Sequence, residues 1–186
     1  GLGTVDVVHT DSDGWSVIKT KAFNFVPPPQ LKSLNPKAGP AAGGTTVTLT
    51  GSFFATGAKG SAFGDKTSRV MICSHFVNKS NCVEVPKSQI EVKDGKTIII
   101  KTPKQVSGLS DVAVINPDGQ TAVLNQAFLF RPPPKIVGIT PNSGSTLGSE
   151  VIQIIGSGFQ VGATVRFGTV VAKKVVVVDS TKLQVT

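Results

Sequence analysis

Tyrosine is missing from this 186-residue chain, tryptophan occurs once, and histidine and cysteine occur twice each. A sugar-binding face needs exposed aromatic rings. A lone Trp15, read first as a hydrophobic cap beside a turn, and phenylalanines at core-type positions offer little for one. The two histidines, His9 and His75, stand at unrelated places in the sequence pattern. No Cys-x-x-Cys, His-Glu-x-x-His or Gly-x-Ser-x-Gly occurs, so zinc and serine-hydrolase templates fail. No catalytic residue, cofactor site or metal ligand is assigned, and the chain is not expected to be an enzyme. No apolar run approaches the ~18 residues of a membrane-crossing helix, so no insertion within this segment is expected. Helical periodicity is absent, and charged residues make up only 16%, which is too apolar for a disordered chain.

What the chain has is glycine (20), proline (12) and a net charge of +8. Turn-forming residues between short β-branched runs suit an all-β protein. Residues 1–26 carry two Lys against three Asp, 27–131 twelve basic against six acidic residues, and 132–186 five against two. Lys173-Lys174 is the only adjacent basic pair. Such scattering reads as a solvated surface, with a basic patch for an acidic polymer as the competing reading.

The chain also repeats itself. Pro27-Pro-Pro-Gln-Leu-Lys-Ser-Leu-Asn-Pro-Lys-Ala-Gly39 returns as Pro132-Pro-Pro-Lys-Ile-Val-Gly-Ile-Thr-Pro-Asn-Ser-Gly144, a shift of 105. The same shift carries Gly51 to Gly156, Phe54 to Phe159, Asp13-Gly14 to Asp118-Gly119, and Phe23-x-Phe25 to Phe128-x-Phe130. An array of like modules follows: the C-terminal strands of a first module over 1–26, a complete module over 27–131, and the N-terminal part of a third over 132–186.

In the complete module, residues 30–34 read as a first strand ended by Asn35-Pro36. Thr45-Thr-Val-Thr-Leu-Thr50 alternates apolar and hydroxyl residues, the period of a half-buried strand, and Gly51 is expected to break it. Later strands are expected at 70–72, 89–92, 97–101, 111–115 and 127–130, with a Pro-and-Gly turn at Asn116-Pro-Asp-Gly119. Two more are expected in the first module, at 4–9 and 16–25. Short strands with a turn every ten or so residues indicate a β-sandwich. Asp11-Ser-Asp13-Gly14 lacks the loop-ending Glu of a calcium site and reads as a hairpin turn. Gly156-Ser-Gly158 likewise reads as a turn, not a phosphate cradle.

These motifs resemble the immunoglobulin-like IPT/TIG family. Its pattern is matched by Pro36-Lys-Ala-Gly39, Gly43-Gly44-Thr-Thr-Val-Thr-Leu-Thr-Gly51-Ser-Phe-Phe54, Phe63-Gly64, Val114-Ile-Asn116-Pro-Asp-Gly119 and Phe128-Leu-Phe130. A second copy gives Pro141-Asn-Ser-Gly144, the stretch from Gly148 to Phe159, and Phe167-Gly168, with Ser149 replacing the second Gly of the pair. The resemblance implies tandem immunoglobulin-like β-sandwiches, similar to modules of bacterial surface proteins and receptor ectodomains. The prolines at 27–29 and 132–134 favour extended polyproline II between modules, and so a stiff rod.

The copies differ in one place. Asp94 aligns with Asp179 at a shift of 85, so about twenty extra residues are expected between Phe63-Gly64 and Asp94, near 65–93. That insertion holds both cysteines. A disulfide between Cys73 and Cys82 is expected to pin a protruding loop, and an oxidising, extracellular or cell-surface location follows. Two free thiols in the cytosol is the competing reading. Asn78-Lys-Ser80 between them is a candidate glycosylation sequon.

Three functions compete. The first is a structural or adhesive segment of a secreted, cell-surface or filament-forming protein, binding protein partners or copies of itself. In its self-assembling form, the two N-terminal strands of one copy complete the third module of the next, head to tail. The bland alternative to that form is a window of a longer chain. The second is a nucleic-acid-associated module of the Rel type, disfavoured by the presence of only three arginines, Arg69, Arg131 and Arg166. The third is an accessory carbohydrate-binding module, disfavoured by the missing aromatics.

Overall fold

Alternation places Val47 and Leu49 on one face of a strand and their threonine neighbours on the other. The computed structural model, which describes residues 3–58 and 62–186, buries both. The described chain forms two compact all-β units divided between Phe130 and Arg131.

The first unit opens with a hairpin of β1 (Gly3–Thr10) and β2 (Ser16–Phe25). It continues with β3 (Gln30–Asn35), β4 (Ala38–Pro40), β5 (Thr46–Ser52), β6 (Arg69–Cys73) and β7 (Val83–Glu84). Then come β8 (Ile90–Asp94), β9 (Thr97–Lys101), β10 (Gly108–Ile115) and β11 (Thr121–Arg131). Sheets of order β3-β5-β9-β8 and β4-β11-β10-β6-β7 result. Leu31, Leu34, Leu49, Ile98 and Ile100 from one sheet meet Val70, Ile72, Val112, Val114 and Phe128 from the other in one buried cluster. Burying each such side chain contributes roughly 1.5–3 kcal/mol. This is the β-sandwich that the alternation implies.

Gly51 does not break its strand, which runs on to Ser52. A Cβ at Gly51 would collide with the Gln30 carbonyl and the Phe54 ring, so the glycine is there to let β3 come close. Gly156 meets the Lys135 carbonyl and the Phe159 ring in the same way.

The hairpin β1–β2 repeats the hairpin β10–β11 in detail. Asp11 N–H donates to the Trp15 carbonyl (2.8 Å) and Gly14 N–H to the Asp11 carbonyl (3.0 Å). Asn116 N–H donates to the Gln120 carbonyl and Gly119 N–H to the Asn116 carbonyl, both at 2.9 Å. Both are plain turns. Each hairpin also carries a bulge, between Val5 and Val7 and between Ser110 and Val112. The burial differs. Phe128 and Phe130 are 1% and 0% exposed, whereas their counterparts Phe23 and Phe25 are 53% and 50% exposed. Both pairs keep the same edge-to-face contact, at 4.8 and 4.9 Å. Trp15, at 77% exposure, caps nothing among the described residues.

The second unit contains β12 (Lys135–Thr140), β13 (Ile152–Ser157), β14 (Arg166–Phe167), β15 (Val170–Val171), β16 (Val175–Asp179) and β17 (Lys182–Val185). One sheet has the order β12-β13-β17-β16, and β14 pairs with β15. Ile154, Phe159, Leu183 and Val185 form its small core. In the β16–β17 turn the Thr181 hydroxyl and N–H donate to Asp179 at 2.6 and 2.7 Å, which lowers the Asp179 carboxyl below its ordinary value. That support is present at neutral pH and fades as pH falls through the lowered value.

The two units correct the expected position of the extra residues. Val85 N–H donates to the Val70 carbonyl and Ala172 N–H to the Val165 carbonyl, both at 2.9 Å. The counterpart of Val165 is thus Val70, and Phe63-Gly64 is not the equivalent of Phe167-Gly168. Val70 follows Phe54 by sixteen positions, and Val165 follows Phe159 by six. Val85 then follows Val70 by fifteen, and Ala172 follows Val165 by seven. The interval 65–93 is therefore not one protruding insertion. It includes core strand β6, and the extra residues fall mainly before β6 and in the loop 74–82.

Candidate functional site

Strand β6 ends at Cys73, which is fully buried, and the chain returns to β7 just after Cys82. The two sulfurs are bonded at 2.00 Å, and no free cysteine is present among the described residues. Between them the chain folds into a small hairpin. Ser80 N–H donates to the His75 carbonyl (3.0 Å) and Lys79 N–H to the Phe76 carbonyl (3.1 Å). Lys79 and Asn81 take positive φ, 53° and 46°, and the Asn78 Oδ1 accepts the Ser80 N–H at 3.1 Å. Asn78, the sequon residue, lies exposed at the tip beside Val77, which is 85% exposed.

Two buried side chains hold this loop besides the disulfide. Asp111, on β10, accepts the Phe76 N–H on one carboxylate oxygen and the Gln126 N–H on the other, both at 2.8 Å. His75 Nδ1 lies 3.7 Å from the same carboxylate. Gln105 donates from Nε2 to the Asn81 carbonyl (2.6 Å) and the Ile72 carbonyl (3.2 Å). A carboxylate accepting two N–H groups makes charge-assisted bonds stronger than neutral ones. The loop is thus tied at both ends and in its middle while its tip stays in solvent.

Sequence reading placed the cysteines and the sequon here but not Asp111 or Gln105. A signal for Asp111 existed. Its repeat counterpart, Asp6, accepts the N–H of Lys21 at 2.6 Å, as Asp111 accepts that of Gln126, and Lys21 and Gln126 share φ 50°. Among the described residues no group of three His, Cys, Asp or Glu could hold a metal, and no helix is long and apolar enough to cross a membrane. Of the three arginines, Arg69 is engaged with Glu84 at 3.1 Å.

Without the disulfide the loop has lost its covalent closure. Replacing both cysteines with serine is expected to lower the stability of the first unit by about 2–3 kcal/mol. Calorimetry reads the loss, and trypsin cleavage after Lys79 should quicken.

The sequence profile of the IPT/TIG domain matches residues 29–130 and 134–186. The chain belongs to the IPT/TIG family. Relatives at the sequence level include human Plexin-B3, 28% identical over 72% of this chain and 6% of that protein. Rat Plexin-B3 is 31% identical over 72% and 6%, and human Fibrocystin-L 24% over 84% and 3%. The chain thus spans a small fraction of the length of these relatives. Among solved structures, the full extracellular region of Plexin A4 covers 92% of this chain at 20% identity, with a TM-score of 0.42. A Bacteroides thetaiotaomicron protein of unknown function covers 69% at 16% identity, with a TM-score of 0.43. The two matched stretches make this IPT/TIG chain one of tandem immunoglobulin-like modules, and the Cys73–Cys82 disulfide accords with an oxidising compartment.

Proposed function

We propose that this segment is a structural and adhesive part of a secreted or cell-surface multi-module protein, and that loop 74–82 is its contact surface for a protein partner. One observation carries the reading: a loop tied down by the Cys73–Cys82 bond, Asp111 and Gln105 presents a bare apolar tip at Val77. Fixing a loop before binding lowers the ordering cost of association. The relationship to proteins with extracellular regions supports the location, and a glycan on Asn78 belongs to the same proposal. The test places a photo-crosslinking amino acid at Val77 of the full-length protein on its native surface. A discrete protein adduct is expected at position 77 and not at Val106, an exposed residue outside this loop. Equal labelling at both, or none, counts against the loop.

The triple prolines support a stiff rod. Spin labels in the complete and third modules should report one narrow distance distribution, broadened when prolines 132–134 become glycines. A broad distribution in the natural chain rejects the rod.

Assembly head to tail by strand donation is a second reading, favoured by the half-exposed Phe23 and Phe25 and by Ile136 and Ile139, which are exposed where Leu31 and Leu34 are buried. The native protein must then have a mass near 19.3 kDa. A larger mass assigns the facing strands to the rest of a longer chain.

A further inference from the structure

Strand β16 is an edge of its sheet, as its counterpart β8 is of its own. The two strands share one burial pattern and the same bulge against their neighbours. They differ in what faces outward. On β8 the outward positions are Glu91 and Lys93, in contact at 2.6 Å. Charged side chains, lysine above all, keep an edge from pairing with other strands. On β16 those positions are Val176 and Val178, 41% and 51% exposed. The second edge lacks the protection that the first one has.

Its backbone is also ready to pair. Lys174 and Thr186 exchange both N–H···O bonds, at 3.0 and 2.9 Å. Bonding alternates along an antiparallel ladder, so Val176 turns its N–H and C=O toward β17, and Val175 and Val177 turn theirs to the open edge. No strand among the described residues takes them up.

We propose that β16 pairs with β16 of a second copy of this chain, antiparallel about a two-fold axis at Val176. Side chains directly opposite must share a sheet face, which allows only registers that shift by whole pairs. With Val176 opposite itself, Val175 exchanges two backbone bonds with Val177 of the second copy, and the symmetric pair does the same. The bulge sets Val178 and Asp179 together against one residue, so Lys174, outward like Asp179, then falls opposite Asp179 of the second copy. Moving the axis to Val177 puts Lys174 against Thr181 and Asp179 against Val176, so charge complementarity selects the first register. A strand basic at its start and acidic at its end is self-complementary when antiparallel, and the contact closes as a dimer. This isologous pairing is separate from head-to-tail donation and uses neither β1–β2 nor the open face of the second unit.

The test is sedimentation equilibrium of the 186-residue chain at ~100 µM, where a small interface below ~1,200 Å² is populated. A monomer–dimer equilibrium is expected. Restoring the β8 pattern with Val176→Glu and Val178→Lys should weaken it at least roughly tenfold. Residues opposite each other at a non-hydrogen-bonded position have Cα atoms ~4.5 Å apart, within disulfide reach. Val176→Cys should therefore give a covalent dimer on oxidation. Val178→Cys should not, because its twin lies four residues further along, ~13 Å away. A monomeric natural chain overturns the proposal. So does a dimer that survives the double substitution, or equal cross-linking at 176 and 178, which is the outcome expected if copies associate through the open face instead.

Discussion

Gly51→Ala should lower the stability of the first unit by about 3 kcal/mol or more. The reason is steric, since Gly51 has an ordinary strand conformation. Its missing Cβ leaves room for the Gln30 carbonyl of β3 and for the Phe54 ring. A backbone carbonyl cannot swing away as the end of a long side chain can. Alanine must therefore push β3 out of register or displace Phe54, which is buried in the core. Gly44→Ala supplies the contrast. Gly44 has φ +85° with open space around its missing Cβ, so alanine there meets only conformational strain, ~1 kcal/mol. In calorimetry the first substitution should lower Tm by roughly 12–20 °C and the second by roughly 5 °C. Equal shifts would show that close approach is not why Gly51 is glycine. Gly156→Ala should repeat the large effect in the second unit, where the Lys135 carbonyl and the Phe159 ring take the same places.

The strands that were legible are those whose own side chains declare a buried face: Thr45 to Thr50, Thr97 to Lys101, and the Phe-x-Phe ends. Strand β4, Ala38–Pro40, was not. Alanine, glycine and proline have no strand preference. The segment is a strand because β11 passes beside it, with Leu129 N–H donating to the Lys37 carbonyl at 2.9 Å. That pairing is tertiary and leaves no local trace. Strand β11 likewise begins at Thr121, six residues before the expected start. The exchange of Phe63-Gly64 for the true counterpart of Phe167-Gly168 has a local cause. Gly64 and Gly168 both sit at φ +60°, so the turn chemistry is alike. Where the strand lies is decided elsewhere, by the pairing of β6 with β10. At the candidate site the cysteines and the sequon were legible because their chemistry is written in residue type. Asp111 and Gln105 act through a neighbour's backbone, which residue type does not disclose.

Asp111 therefore offers the sharpest separation of a local from a tertiary role. Asp111→Ala should cost the first unit about 3 kcal/mol, because two N–H groups, of Phe76 and Gln126, lose a buried charged acceptor. Asp6→Ala removes the equivalent bond to Lys21 in an exposed hairpin. Water can replace that acceptor, so the loss should stay within ~0.5 kcal/mol. Urea unfolding of the two variants tests the difference. The consequence for the loop is distinct from that for stability. With Asp111 gone, the Phe76 end of loop 74–82 is released while the disulfide and Gln105 remain. Amide exchange should then quicken at Phe76 beyond what the global loss explains, while the Asn81 side stays slow. If Phe76 exchanges no faster than the rest of the unit, Asp111 supports only the bulge at Gln126, and the loop is held by its disulfide and Gln105 alone.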